Sequence, residues 1–368
     1  MPQTERFAMT TRHDIPVPSM VRKDGTYPTV DLRRDKVSIN IVQTRTRPVD
    51  PDDPEPLIRD NLDYTLNAID KAQGKGRADL VCFHEFPLQG GGRKNREQYL
   101  KVARFPECRE IEEIALKAKQ YDCYIAFGCL IKEEDWPGHV MNMQILVGPE
   151  GNIVARHWKQ RAKRGTFRHS EQITTCIYDV FDRFVEMYGW DAVIPVARTD
   201  IGNIAMSPVQ YEPELFRAQA LKGAEILVRP ATGGFRWEDT QMCSYHHDVF
   251  TVVVNNSLNI GYENKEFFVE NAPRNDWVGR SSIFGPKGEV LAQAGPFETR
   301  RRAVIDMAAY RERHRIPDFH ISMYRHVFDQ YEERYQPNLW TGYQPDNARE
   351  AADYLHPRAA WQNFWYDY

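Results

Sequence analysis

The chain has 368 residues, 42% of them hydrophobic and 27% charged, with a formal net charge of -4. This balance fits a folded globular protein and supplies no basic field for nucleic acid. No run approaches the roughly 18 apolar residues of a membrane span. The opening "MPQTERFAMTTRHD" also lacks the apolar stretch of a secretory signal, so a cytoplasmic protein with neither membrane nor nucleic acid as partner is expected.

Residues 1–35 are polar and irregular and read as an N-terminal arm. Regular patterning starts at Lys36. "KVSINIVQT" reads as a strand, and "PLIRDNLDYTLNAIDKA" as a helix with Ile58, Leu62, Thr65, Leu66 and Ile69 on one stripe. "ADLVCF" is a continuous apolar strand running into His84 and Glu85, and "REIEEIALKAKQY" is a second amphipathic helix. "CYIAFGCLI", "MNMQILVG" and "NIVARHW" give three more strands, the last two joined by a turn at Pro149-Glu150-Gly151.

Residues 160–189 form a long insertion with one helical segment, a length that suggests a lid or pocket wall. The cycle then resumes: "IPVART" and "NIAM" flank the turn at Asp200-Ile201-Gly202, a helix follows through "PELFRAQALKGA", and "EILVR" is a strand. A helix near "TQMCSYHHDVF", the strand "FTVVVNN" and the hairpin "RSSIFGPKGEVLAQAG" complete the pattern. Alternating strands and helices with three hairpins predict an α/β chain of two mixed sheets with helices on their outer faces, a four-layer α-β-β-α sandwich over residues 36–310. Residues 311–368 are rich in Arg, His, Tyr and Trp and read as an extension that docks on a neighbouring surface, an oligomer contact.

Three apolar strands end in polar residues: Glu85, Lys159 and Ser207. A carboxylate, an ammonium and a hydroxyl converging at sheet ends have the composition of an acyl-transfer site. The six cysteines, Cys82, Cys108, Cys123, Cys129, Cys176 and Cys243, show no CxxC pair or Cys/His metal spacing and read as reduced, mostly buried thiols. His246-His247-Asp248 has metal-binding residue types. Adjacent helical histidines point about 100 degrees apart, however, so no metal and no cofactor is expected.

The order "CFHEFPLQG", "GNIVARHWKQR", "GNIAMSPVQYEPELFRAQALKGAEIL", "RSSIFGPKGEVLAQAG" resembles the nitrilase, or carbon-nitrogen hydrolase, superfamily over roughly residues 36–310. The resemblance implies a catalytic set of Glu, Lys and Cys, with Glu85 and Lys159 as the first two. At the position of the family's cysteine stands Ser207, followed by Pro208 and Val209. The resemblance further implies an amidase acting on a small amide-like molecule, a homodimer or larger homo-oligomer, and a supporting glutamate between the lysine and the nucleophile strand. Glu186 is preferred for that role, with Glu171 as the alternative. Thr232, Gly233, Gly234 and Val209 are the expected substrate-contacting positions. Pro208 has no N–H, so Val209 N–H or a side chain must stand in for the backbone donor after the nucleophile. Two other readings of the serine remain open: a non-hydrolytic or catalytically disabled relative that binds a small polar ligand, and a cysteine replaced to trap a complex.

Overall fold

The computed structural model describes residues 20–74, 76–92, 94–165, 169–233, 235–258 and 278–361. In chain order, β1 (Lys36–Gln43), α1 (Pro54–Gln73), β2 (Leu80–Cys82), α2 (Arg96–Val102), α3 (Arg109–Tyr121), β3 (Tyr124–Ile131), β4 (Met141–Val147) and β5 (Ile153–Trp158) form the first half. The insertion carries α4 (Phe181–Tyr188). Then come β6 (Ala197–Thr199), β7 (Gly202–Met206), α5 (Pro213–Leu221), β8 (Ile226–Pro230), α6 (Trp237–His247), β9 (Phe250–Val254), β10 (Ser282–Phe284), β11 (Val290–Gln293) and β12 (Thr299–Asp306). The chain continues through α7 (Met307–Arg313), α8 (Ile321–Gln330) and α9 (Ala348–Leu355).

Two six-stranded sheets result, ordered β12-β1-β2-β3-β4-β5 and β11-β10-β9-β8-β7-β6. Their facing sides bury Val37, Ile39 and Ile41 of β1 against Ile204 and Met206 of β7 and Ile226 and Val228 of β8. The period-two alternation of β1 decides which residues go inward, because successive strand side chains point to opposite faces. On the outer side of the first sheet Leu62 and Ile69 of α1 and Ile111, Ile114 and Ala118 of α3 cover Val81, Ile125 and Phe127. Phe216 and Ala220 of α5 and Cys243 of α6 cover Ala205 and Leu227 of the second sheet. This is the expected α-β-β-α sandwich. The turn at Gly151 takes φ +79°, which a glycine adopts without strain, and β4 and β5 pair antiparallel across it.

One strand escaped the sequence reading. β12, "TRRRAVID", pairs antiparallel with β1 from Lys36↔Asp306 to Gln43↔Thr299 and closes the edge of the first sheet. Its three arginines mask the apolar alternation; charge is common on an edge strand, where one flank has no partner to mate with. The ends of the chain also differ from the expectation. Residues 1–19 of the proposed arm lie outside the described residues, but Tyr27 is buried and its hydroxyl donates to Glu225 Oε1 at 2.8 Å. Arg33 bridges Asp79 and Asp122, so this stretch belongs to the body of the fold.

The extension after residue 310 folds back onto its own chain. Tyr335, Trp340, Ala351 and Leu355 cluster with Ile173 of the insertion. Backbone bonds from Asn338 N–H to Tyr178 O and from Trp340 N–H to Asp179 O, both 3.0 Å, fix it there. By contrast, none of the ten residues of α8 is buried.

Gly128 of β3 is where the fold approaches the polar strand ends most closely. A Cβ there would stand 2.1 Å from the carbonyl oxygen of Glu85, so the backbone of β3 must be bare at that residue. Gly128→Ala is expected to lower stability by about 1–3 kcal/mol through overpacking. Equilibrium urea unfolding measures this, and an unchanged midpoint would contradict the account.

Candidate functional site

Four strand ends from both sheets meet at one place. After β2, Phe83 N–H donates to Ala126 O at 2.8 Å, and the chain turns out of the sheet at His84 and Glu85. Glu85 N–H then crosses to the second sheet and donates to Ala231 O, just past β8, at 3.4 Å. Lys159 follows β5, with its N–H on Asn142 O at 2.9 Å. Ser207 follows β7, with its N–H on Val228 O at 3.0 Å, and Met206 N–H donates to His157 Nδ1 of β5 at 3.1 Å. The backbone is therefore committed to the strand ends, and the side chains of Glu85, Lys159 and Ser207 are delivered beyond them.

Lys159 Nζ lies 3.7 Å from Glu85 Oε1. The same oxygen accepts a hydrogen bond from Asn142 Nδ2 of β4, whose Oδ1 in turn accepts from Gln144 Nε2 at 2.9 Å. Glu85 is 8% exposed, so the carboxylate is held by a cation and an amide with little water. A carboxylate in this setting keeps its orientation and can pass a proton to a bound molecule, while the ammonium supplies positive charge where an oxyanion would grow.

Ser207 is 1% exposed. Its Oγ donates to Gln160 Oε1 at 2.7 Å and accepts from Val209 N–H at 3.2 Å. Among the described residues no hydrogen bond joins it to Glu85 or Lys159. The loop after Ser207 is clamped by two guanidinium groups: Arg161 reaches Gln210 O at 3.0 Å and pairs with Glu212, and Arg229 reaches Val209 O at 3.0 Å and pairs with Asp239. Pro213, at the first turn of α5, starts the helix where a missing N–H costs nothing.

The other expected positions divide. Gly233, at φ +67°, donates its N–H to Asn255 Oδ1 at 2.8 Å, and Thr232 Oγ1 beside it is buried without a partner among the described residues. Gly234 lies outside the described residues. Val209 is buried, and its N–H is spent on Ser207 rather than facing a ligand.

Glu186 is not brought to the cluster. α4 turns Phe184 inward against Trp158, and Glu186, two residues on and about 200 degrees round the helix, is exposed. Glu171 is buried, but its partners are Arg164 at 4.0 Å, His356 Nε2 at 3.1 Å and Gly165 N–H, so it fastens the C-terminal extension to the insertion. The group supporting Glu85 is instead Asn142, which the sequence reading passed over. Its signal was present: Asn142 and Gln144 are two polar residues on one face of an otherwise apolar strand.

All six thiols are free. The nearest in sequence to the loop after Lys159, Cys176, is fully buried, and burial pushes its thiol up to about 12 although Lys159 pulls the other way. His246 is exposed, while His247 Nδ1 is bonded to Cys243 O at 2.6 Å inside its own helix. Among the described residues no cluster of His, Cys, Asp and Glu has the makings of a metal site, and no helix is long and apolar enough to cross a membrane.

The profile of the carbon-nitrogen hydrolase family matches residues 40–315, from β1 to the start of the C-terminal extension. The chain belongs to the carbon-nitrogen hydrolase family. Among curated relatives of this hydrolase-family chain, the omega-amidase NIT2 of Xenopus tropicalis is 26% identical over 273 residues, covering 71% of the chain and 89% of the relative. The omega-amidase NIT2 of Bos taurus is 26% identical over 277 residues, with 71% and 88% covered. Among solved structures, the carbon-nitrogen hydrolase of Helicobacter pylori G27 superposes with a TM-score of 0.59 at 17% identity, over 80% of this chain and 99% of that one. An amidase from Nesterenkonia sp. gives 0.54 at 17% identity, with 80% and 98% covered. These structural likenesses, at low identity, bear on the fold: the two helix-covered sheets are those of the nitrilase sandwich.

The site also contributes to a pH dependence of stability. His84, beneath Glu85, is held neutral by burial, which pushes it down to about 3, and Phe86 N–H donates to its Nδ1 at 3.2 Å. Burial likewise pushes His139 and His247 down to about 4. In each case the folded value lies below the ordinary 6.5, so on acidification the unfolded chain takes up protons that the folded chain refuses. The stability present above 6.5 is lost as pH falls toward the folded values, by up to about 1.4 kcal/mol per pH unit for each histidine. Urea titrations at pH 7 and pH 5 should show the lower stability at pH 5, and a flat profile would refute it.

Proposed function

We propose that this chain hydrolyses a non-peptide carbon-nitrogen bond of a small amide, with Ser207 in the nucleophile's place. The contact between Lys159 and Glu85 carries the reading, because it puts a proton carrier and an oxyanion-stabilising cation together at the strand ends that also deliver Ser207. The omega-amidase relatives and the amidase-like folds support the substrate class. In this scheme the Ser207 hydroxyl swings from Gln160 toward Glu85, gives its proton to the carboxylate, and Oγ bonds to the acyl carbon. The carbon-nitrogen bond breaks as Glu85 hands that proton to the leaving nitrogen, and ammonia or an amine departs. Water then attacks the acyl-serine ester, losing its proton to Glu85. The acid is released, and the proton returns to Ser207.

One observation favours a second reading. The Ser207 proton rests on the amide oxygen of Gln160, which is no base, and a serine hydroxyl is a far weaker acid than a thiol. Glu85 and Lys159 would then grip a polar small molecule without cleaving it. In either reading we take the chain to be a cytoplasmic homo-oligomer. The unburied α8, which displays Ile321, Met323, Val327 and Phe328, supports a subunit contact in the C-terminal extension.

Ammonia release across a panel of small amides tests the choice. Turnover by the wild type, with losses on the order of 10²–10⁴-fold in both Glu85→Gln and Ser207→Ala, is the expected result. Activity that appears only in Ser207→Cys would mark a disabled hydrolase. Silence in every variant would favour the binding reading.

A further inference from the structure

The nucleophile position lacks its usual surroundings of free backbone donors. Ser207 N–H is committed to Val228 O at 3.0 Å, Pro208 has no N–H, and Val209 N–H is turned onto Ser207 Oγ at 3.2 Å. Among the described residues, 207–209 therefore leave no N–H for a carbonyl oxygen beside Lys159.

Gln160, next to Lys159, carries what is missing. The Ser207 hydroxyl donates to Gln160 Oε1 and accepts from Val209 N–H. Gln160 Nε2 is buried and has no hydrogen-bond partner among the described residues, in a residue only 7% exposed. Leaving such donors unmade is costly, and a buried group of this kind asks for a reason.

We infer that Gln160 is a substrate-contacting residue whose Nε2 donates, beside Lys159, to the carbonyl oxygen of a bound amide, and that Ser207 aims it. The inference rests on the site being one that takes a small amide. It does not require that the amide be cleaved. If Ser207 attacks, its proton leaves for Glu85, and Gln160 keeps both N–H groups for the oxyanion. Nε2 is buried, so ligand entry includes a local opening, and the bond then forms away from water, where it is strongest.

The test compares butyramide with thiobutyramide, whose sulfur is a much poorer hydrogen-bond acceptor, by calorimetric binding to the full chain. Slow turnover is handled by recording the first injections and measuring ammonia separately. Gln160→Met removes the donor and keeps the volume. Gln160→Glu removes the donor but keeps an oxygen for Ser207, and so separates substrate contact from support of the loop. Both are expected to bind butyramide about tenfold more weakly while thiobutyramide is little changed, erasing the wild type's preference for oxygen. Equal weakening of both probes, an undiminished preference for butyramide in the variants, or no binding of either probe by the wild type would overturn the assignment. Absence of ammonia from a wild type that still prefers butyramide would instead overturn the hydrolytic reading and leave Gln160 in its role.

Discussion

Glu85 N–H reaching across to Ala231 O, with Met206 N–H on His157 Nδ1, is the junction on which the site depends. Each bond ties a strand end of one sheet to a strand of the other, and each sheet owes its position to apolar side chains packed between them. Burial of those side chains sets the distance between the sheets. The two cross-sheet bonds then fix where Glu85 and Ser207 emerge. The catalytic-type groups are thus positioned by the least specific force in the molecule and trimmed by two of its most directional ones.

Electrostatically the site is asymmetric. Glu85 has a cation at 3.7 Å and an amide donor, and the loop after Ser207 is held by Arg161 and Arg229. Among the described residues the hydrogen-bond partners of Ser207 Oγ are neutral, an amide oxygen and a backbone N–H. A thiol in such a place could ionise by proton transfer to a nearby carboxylate, but an alcohol needs its base in direct contact when the bond forms. On the proposed scheme, an oxygen nucleophile therefore changes how much must move before chemistry begins, not only how fast the chemistry is.

Much of this architecture was legible in the sequence. The alternation in "KVSINIVQT" and the stripe from Ile58 to Ile69 each carry one period, "ADLVCF" is a short continuous apolar run, and each became the element expected of it. β12 was missed because Arg300, Arg301 and Arg302 hide its alternation, and an edge strand tolerates them. The convergence of Glu85 and Lys159 was legible through strand ends and a family pattern; of the support from Asn142 only the polar pair on β4 was legible, since which of the two faces a carboxylate depends on register between β4 and its neighbours. Glu186 illustrates the opposite limit. Sequence distance placed it between the lysine and the serine, but the inward turn of Phe184 sent it to solvent.

The segment that follows Lys159 and Gln160 is held down late in the chain. Arg164 grips Asp179 with one guanidinium nitrogen at 2.9 and 2.8 Å and lies over the Trp340 ring at 4.1 Å, while Glu171 is fastened to His356. A ribosome that has already delivered both sheets has therefore not yet delivered the residues that seat this wall. The sandwich can collapse during synthesis, but Arg164 meets Trp340 and Glu171 meets His356 only once the C-terminal extension has been made.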